Sequence, residues 1–480
     1  MRKIGYITGI LLLCFYVFAD VNVDLSSVVS FNSRDGELEY GVLKSKICFC
    51  SSFSDNVKLH SSILVRFSPT VSSVSNISKY LEEIVYSSIY RFDLYEAYLS
   101  VDNIFLDGFN LIIGKQRIFW GKGDKINPTD VLDPFDLYGL LEFSEKMPSW
   151  SLNARLFLPL FDESYLQFVW KPFFESARLS TVIFGTYSQE IRERIISQSK
   201  MFANVVYFGD VFGDVDKVND SFTNSSVGFK FGARISGFDF SISFVDRIND
   251  IPFVKKVRVS NTVRMIPNVE TNLYIDRVNY NLGYHREKIV GFDISKDFEF
   301  LLLRGEVGVF VPQEIYRDYE NITTFIVYTP SLTNTNYLYN VSSEEYLKSV
   351  YVKYLVGLER SFEEWYFNFQ YAHGLGIERG FKEEKLQDYL ILSLEKKFLN
   401  DTLKFRLVGM LNFDDLYGRL SDFSRLIENS GVLGLFEVSY YPVIGLKLFL
   451  SISGIDGNGL SMLSRFKDFD TISMGFSLEM

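Results

Sequence analysis

Between Val227 and Phe244 apolar and polar residues alternate twice, with one turn between the two runs. Val227, Phe229, Phe231, Ala233 and Ile235 fall on one parity, and Gly228, Lys230, Gly232, Arg234 and Ser236 on the other. After Gly237 the rule restarts, with Phe238, Phe240, Ile242 and Phe244 set against Asp239, Ser241 and Ser243. Side chains of a strand point alternately to its two faces, so this pattern predicts a hairpin with one apolar and one wet face.

The same alternation predicts strands along most of the chain. In the first half they fall near Val21–Phe31, Leu38–Phe49, Leu59–Phe67, Tyr95–Val101, Leu111–Trp120, Trp150–Leu158, Leu166–Trp170 and Leu179–Phe184. Gln189–Val215 is ambiguous, and within it Gln189–Lys200 also reads as a short helix. From Val227 onward, strands joined by short turns alternate with longer polar loops down to a last run at Ile472, Met474, Phe476, Leu478 and Met480.

The apolar face touches either a second sheet or lipid. A bilayer offers no water to stray peptide groups, so a spanning sheet must close on itself, apolar side outward. Lys230 and Arg234 placed toward lipid would each cost about 2–4 kcal/mol near the midplane, which sends them to the lumen. Short turns on one side and long loops on the other are the habit of outer-membrane barrels, whereas Greek-key sandwiches do not keep it. The expectation is an all-β fold, a single transmembrane antiparallel β-barrel of about 18 strands within a range of roughly 16 to 20.

Met1-Arg2-Lys3, an apolar run from Ile4 to Phe18 and Ala19 with Val17 two positions before it read as a secretory signal peptide over 1–19, leaving 20–480 as the barrel. A single-span anchor is the other reading of that run. Phe298–Val311, the most apolar later segment, is interrupted by Glu299, Arg304 and Glu306, which excludes a multi-helix membrane protein. The 46 Phe and 29 Tyr suit the aromatic girdles of a barrel. The net charge of −11 argues against a nucleic-acid partner. Cys48 and Cys50 share one face of a strand, and an i to i+2 bridge is strained, so they read as free thiols.

The stretch with motif character is Gly114-Lys115-Gln116-Arg117-Ile118-Phe119-Trp120-Gly121, followed by Asn127-Pro128-Thr129-Asp130-Val131 and Asp133-Pro134-Phe135-Asp136. It resembles the strand-and-loop signature of porin-like outer-membrane proteins related to the alginate-export barrels. Lys115 stands where that pattern has Arg, and Met480 where a terminal aromatic is common. The resemblance implies acidic saccharides as solutes. Trp120 is expected at an interfacial belt where the strand leaves the membrane, with Gly121 and Gly123 allowing a sharp turn. The loop then either folds inward as a constriction, carrying Asp124, Asp130, Asp133 and Asp136 near Lys122 and Lys125, or stays outside as a structural loop.

On the polar faces of the predicted strands lie Arg66, Lys115, Arg117, Arg155, Lys171, Lys230, Arg234, Arg247, Arg304, Lys353, Lys404, Arg406 and Lys447, against Glu96, Asp239, Asp293, Glu306, Glu359 and Glu437. Charge in a pore selects by sign, so a basic lumen is expected to prefer anionic or polar solutes. The alternative places these side chains at strand ends, meeting headgroups.

His60, His285 and His373 are far apart and sit in no nucleophile or zinc motif, and no calcium-loop spacing or phosphate loop is present. No cofactor, no metal and no enzymatic activity are expected. The partners implied are the lipid bilayer of the bacterial outer membrane and small polar or anionic solutes moving through a channel. A structural or adhesive envelope protein without an open pore is the rival function.

Overall fold

The computed structural model describes residues 20–480 apart from 70–75, 86–87, 125, 139–144, 180–191, 193–195, 197–204, 267–269, 330–331, 348, 381–384, 420–421 and 468. The expected signal at 1–19 lies outside the described residues, as does Gln189–Lys200 but for 192 and 196. No described helix is long and apolar enough to cross a membrane.

The strands in chain order are β1 (Asp20–Asn32), β2 (Leu38–Ser54), β3 (Val57–Phe67), β4 (Tyr90–Val101), β5 (Phe109–Gln116), β6 (Asp136–Leu137), β7 (Ser149–Phe157) and β8 (Asp162–Lys171). Then come β9 (Arg178–Leu179), β10 (Val205–Val215), β11 (Ser226–Ile235), β12 (Phe238–Ile248), β13 (Phe253–Ile266), β14 (Glu270–Gly283), β15 (Arg286–Asp297), β16 (Leu302–Pro312), β17 (Ile315–Thr329) and β18 (Leu332–Leu347). The chain ends with β19 (Tyr351–Phe362), β20 (Trp365–His373), β21 (Asp388–Phe398), β22 (Leu403–Phe413), β23 (Ser430–Val443), β24 (Leu446–Gly457) and β25 (Thr471–Glu479).

Eighteen of these form one sheet, and β1 pairs antiparallel with β25 over Asp24–Asn32 and Thr471–Glu479, which closes it into a cylinder. The fold is therefore an all-β closed antiparallel barrel of the expected strand number. At the end that holds Asp20 and Met480 most connections are tight, with 55–56, 236–237, 363–364 and 444–445 two-residue turns and 102–108 the one longer member. Ser236 and Gly237 both have positive φ, 51° and 74°, the mirror-image turn whose twist matches paired strands. At the other end the connections are long, with 33–37 the one short member.

The alternation read from Val227 is realised as an outer apolar skin. Phe229 is 51% exposed and Ile242 52%, while Lys230 between them in the pattern is 6% exposed. Val290, Phe292, Val356, Phe369, Leu392, Leu407, Phe436, Leu450 and Met474 continue the exposed apolar surface round the wall. Lone exposed apolar residues are ordinary, but a contiguous belt of them contributed by one residue in two is the signature of a lipid-facing wall.

The long loops build a second structure over their end. β10, β14, β13, β17 and β18 form a separate five-stranded sheet in that order, with parallel contacts between β10 and β14 and between β13 and β17. Its core holds Val257, Leu273, Ile275, Val278 and Leu282 from that sheet, Leu81 and Val85 from the β3–β4 loop, and Phe135 and Leu137 from the β5–β7 segment. Polar sequence at 313–350 reads as loop, and its folding as the β17–β18 hairpin reflects pairing with β13, which no local pattern reports.

Candidate functional site

The motif marks the most heavily built part of the interior. β5 ends at Gln116 rather than at Trp120, and the described residues of 117–148 turn into the barrel: Trp120, Ile126, Thr129, Asp130, Asp133, Asp136 and Leu137 are all buried. Ile126 packs in one cluster with Leu355 on β19, Ala372 on β20 and Tyr389 on β21. Following the wall from β5 through β7, β8, β11, β12, β15, β16, β19 and β20, strand β21 is the ninth step, halfway round an eighteen-stranded cylinder. The segment thus crosses the lumen and meets the opposite wall.

Two carboxylate centres hold it there. At its base Arg117 donates to Asp130 at 2.5 Å and to Asp133 at 2.8 Å, and Asp133 also accepts the Ile118 backbone N–H at 2.6 Å and the Ser149 hydroxyl. Burial works against the Arg117 charge, yet those two carboxylates hold the guanidinium above its ordinary value. Farther along, Glu306 of β16 accepts the backbone N–H groups of Lys122, Gly123 and Thr129 and the Thr129 hydroxyl, the last two at 3.2 and 3.0 Å. Gly121 has φ +98°, and a Cβ there would lie 2.7 Å from a Glu306 oxygen, so this turn needs glycine on both counts.

The wall makes room for the segment at three inward glycines. A Cβ on Gly228 would meet the Trp120 ring at 2.9 Å, one on Gly291 the Thr129 methyl at 3.0 Å, and one on Gly308 the Pro128 carbonyl oxygen at 3.2 Å. Trp120 does not sit at an interfacial belt as expected. It is 2% exposed inside the barrel, with Nε1 donating to Gln167 at 3.2 Å and the Lys230 ammonium 5.5 Å from its ring centroid. The glycine hole on β11 and the polar partner on β8 exist only once the strands are in register, which is why the motif alone misplaces the ring.

The basic residues of the wall fall into three groups. Lys171, Arg247 and Arg304 bind the crossing segment itself, donating to the carbonyls of Leu132 at 2.6 Å, Val131 at 2.5 Å and Lys122 at 2.7 Å. Lys353 does the same for Leu375 and Gly376 in the β20–β21 loop, and Arg66 pairs with Asp136 at 3.1 Å. Lys230 pairs with Asp293 at 3.3 Å. Toward the tight-turn end, cross-strand pairs line the interior: Arg234 with Asp239 and Glu163, Arg304 with Glu359, Lys404 and Arg406 with Glu395, and Lys447 with Glu437. Arg155 there lies over the Tyr165 ring and donates to Gln167.

Lys115 is the third case. It pairs in register with Trp150, whose ring is 41% exposed, and shares that outer face with Ile113 instead of lining the lumen. The register of β3 against β4 shifts between Ser62 and Ile63, and the Lys115 ammonium donates to the Leu94 carbonyl near that irregularity at 2.8 Å. The bulge lies on β4, while Gly114 keeps regular register with Tyr98. Sequence reading also missed Glu395, Asp250 and Glu287. Glu395 falls on the inward parity of β21 with Tyr389 and Ser393, so its signal was present in the alternation.

Lys146, in the returning arm of the segment, is buried, donates to the Asp130 carbonyl and lies 4.3 Å from the Phe135 ring centroid. Burial pushes it down to about 8, against the pull of Asp130. A lysine depressed by folding adds stability above its unfolded value near ~10.4 and loses it as pH falls through the folded one. The docked segment is therefore expected to unfold at higher urea at pH 9.5 than at pH 7. Lys146→Met should flatten that difference, and an unchanged pH dependence in the variant would refute the assignment.

Among the described residues no group of three His, Cys, Asp or Glu is placed to hold a metal ion. No family model matches the chain, and no curated protein does. Solved structures are similar to it over nearly the whole of both chains. Pseudomonas aeruginosa OpdK with vanillate is 8% identical over 96% of this chain and 98% of its own, with a TM-score of 0.48. Acinetobacter baumannii OccAB3 is 10% identical over 96% and 98%, with a TM-score of 0.46. Salmonella typhi OmpF in complex with daunomycin is 9% identical over 96% and 97%, at 0.39. At such values the likeness adds nothing to what the strand ladder shows by itself, and the resemblance to the alginate-export group finds no support in it.

Proposed function

We propose that the chain is a channel of the bacterial outer membrane for small polar solutes, with residues 117–148 as its constriction. The single observation behind this reading is the closed wall with its apolar skin outside and its charged pairs inside. Strands of this kind span the outer membrane with short turns in the periplasm, which puts both termini and the lower charged lining on that side. Residues 1–19 are then the export signal.

The lining toward the tight-turn end carries Arg155, Arg234, Arg304, Lys404, Arg406 and Lys447 opposite Glu163, Asp239, Glu359, Glu395 and Glu437. With most cations paired, we infer only a modest preference for anions, acidic saccharides among them. Purified protein in planar bilayers should give discrete conductance steps, with a reversal potential in a salt gradient displaced slightly toward the anion limit. A cation-selective channel would remove the anion preference, and a silent barrel would remove the channel. Silence would favour the second reading, an envelope protein sealed by its own loops, for which the Ile126 contact with the far wall speaks.

A further inference from the structure

We propose that Cys50, His60 and Glu96 form a reactive-thiol site on the inner wall that exchanges with disulfides of small thiols entering the barrel. Cys50 and His60 are directly opposite each other in the β2–β3 register, close to the tight turn at 55–56. The Cys50 Sγ is 3.2 Å from His60 Nδ1, and His60 Nε2 is 3.3 Å from Glu96 Oε2 on β4. The imidazole is fixed on a further side by stacking on Tyr98, with ring centroids 4.9 Å apart. Glu96 is itself held by the Lys46 ammonium at 3.2 Å and the Ser62 hydroxyl at 3.4 Å.

Thiol, imidazole and carboxylate in that order are the parts that activate a nucleophile. The ring accepts the thiol proton at Nδ1 while the carboxylate fixes its orientation and stabilises the cation formed. The site is reachable, since the His60 side chain is 20% exposed and that of Glu96 15%, and Cys50 is half-buried. Cys48, the other thiol, is 9% exposed. The other charged or titratable groups that face the site are Asp20 of β1, directly opposite Cys50, with Asp24 farther along that strand, Lys46 and Cys48 on β2, Lys58 two residues from His60 on the same face of β3, and Tyr98 on β4.

In the exchange, the Cys50 sulfur attacks one sulfur of a small disulfide. A new S–S bond forms to Cys50, the bond within the small disulfide breaks, and the departing thiolate takes the proton held on His60. The oxidant is the disulfide itself, and no further reactant is needed. Oxidised small thiols persist outside the cytosol, so the supply rests on the outer-membrane reading, whereas the exchange needs no ion conduction.

Folded protein in detergent, treated with glutathione disulfide and mapped by mass spectrometry, should carry the adduct on Cys50 in preference to Cys48. Its rate at neutral pH should exceed that of Cys50 in the urea-unfolded chain by about tenfold or more. His60→Gln should slow the reaction and move its pH–rate profile to the alkaline side, while Cys50→Ser abolishes the fast adduct. The site is ruled out if folded Cys50 reacts no faster than unfolded Cys50, or if the His60→Gln profile overlays that of the parent. Because the readout is covalent mass, a barrel that fails to conduct leaves this test intact.

Discussion

Glu306→Leu is expected to release residues 117–148 from the lumen and raise the single-channel conductance several-fold. The carboxylate accepts three backbone N–H groups and one hydroxyl from the segment, and among the described residues no other wall carboxylate serves the Lys122–Gly123 turn in that way. Each buried donor left without an acceptor costs about 1–3 kcal/mol, so the docked form would lose most of what favours it over a hydrated one. Leucine still fits an inward wall position flanked by Gly305 and Val307, which keeps the barrel itself intact. Bilayer recordings read the conductance, and hydrogen exchange over 117–133 reads the release. Unchanged current together with unchanged protection would show that the Arg117–Asp130–Asp133 base holds the segment alone.

Ile242→Arg should destabilise the protein in lipid vesicles by about 2–4 kcal/mol, the cost of a cation at the bilayer midplane of a barrel. Ile242 lies in the middle of β12, paired with Phe231 and Phe292, and is 52% exposed. The matched control is Phe222→Arg, since Phe222 is 83% exposed but sits in the β10–β11 connection rather than in the wall. If urea unfolding gives the two variants the same stability, the apolar skin does not face hydrocarbon.

Much of the wall was legible because alternation is a property of single strands that survives in any barrel. Val227–Phe244 could be assigned its faces from sequence since each outward Phe and inward Lys or Arg answers to the same two solvents along its whole length. Strand number followed from counting such runs. What escaped depends on register. Whether the motif segment lies in or out is decided by Gly228, Gly291 and Gly308, three glycines on different strands that become one groove only when aligned. Lys115 is different: it shares the parity of Leu111 and Ile113 on β5, whose pairings with β4 and β7 run without a shift, so its outward face was already present in the alternation.

The basic count overstates the free positive charge of the lumen for a related reason. Arg247, Lys171 and Lys353 were read as cations facing water, but they grip peptide carbonyls of loops drawn into the interior. A positive wall is as well suited to holding folded-in backbone as to drawing solutes, and sequence parity cannot separate the two uses. Some acidic partners came from the connections between strands, among them Asp130, Asp133 and Asp250, where alternation carries no information.

The seam between Asp24–Asn32 and Thr471–Glu479 fixes an order of events in assembly. The segment synthesised first keeps one edge unsatisfied until the segment synthesised last arrives, so no partial product is a smaller finished barrel. Contacts of such sequence separation form late and slowly, and the exposed edge invites wrong partners in the meantime. Truncation by a single terminal strand should therefore yield aggregated chain rather than a seventeen-stranded pore.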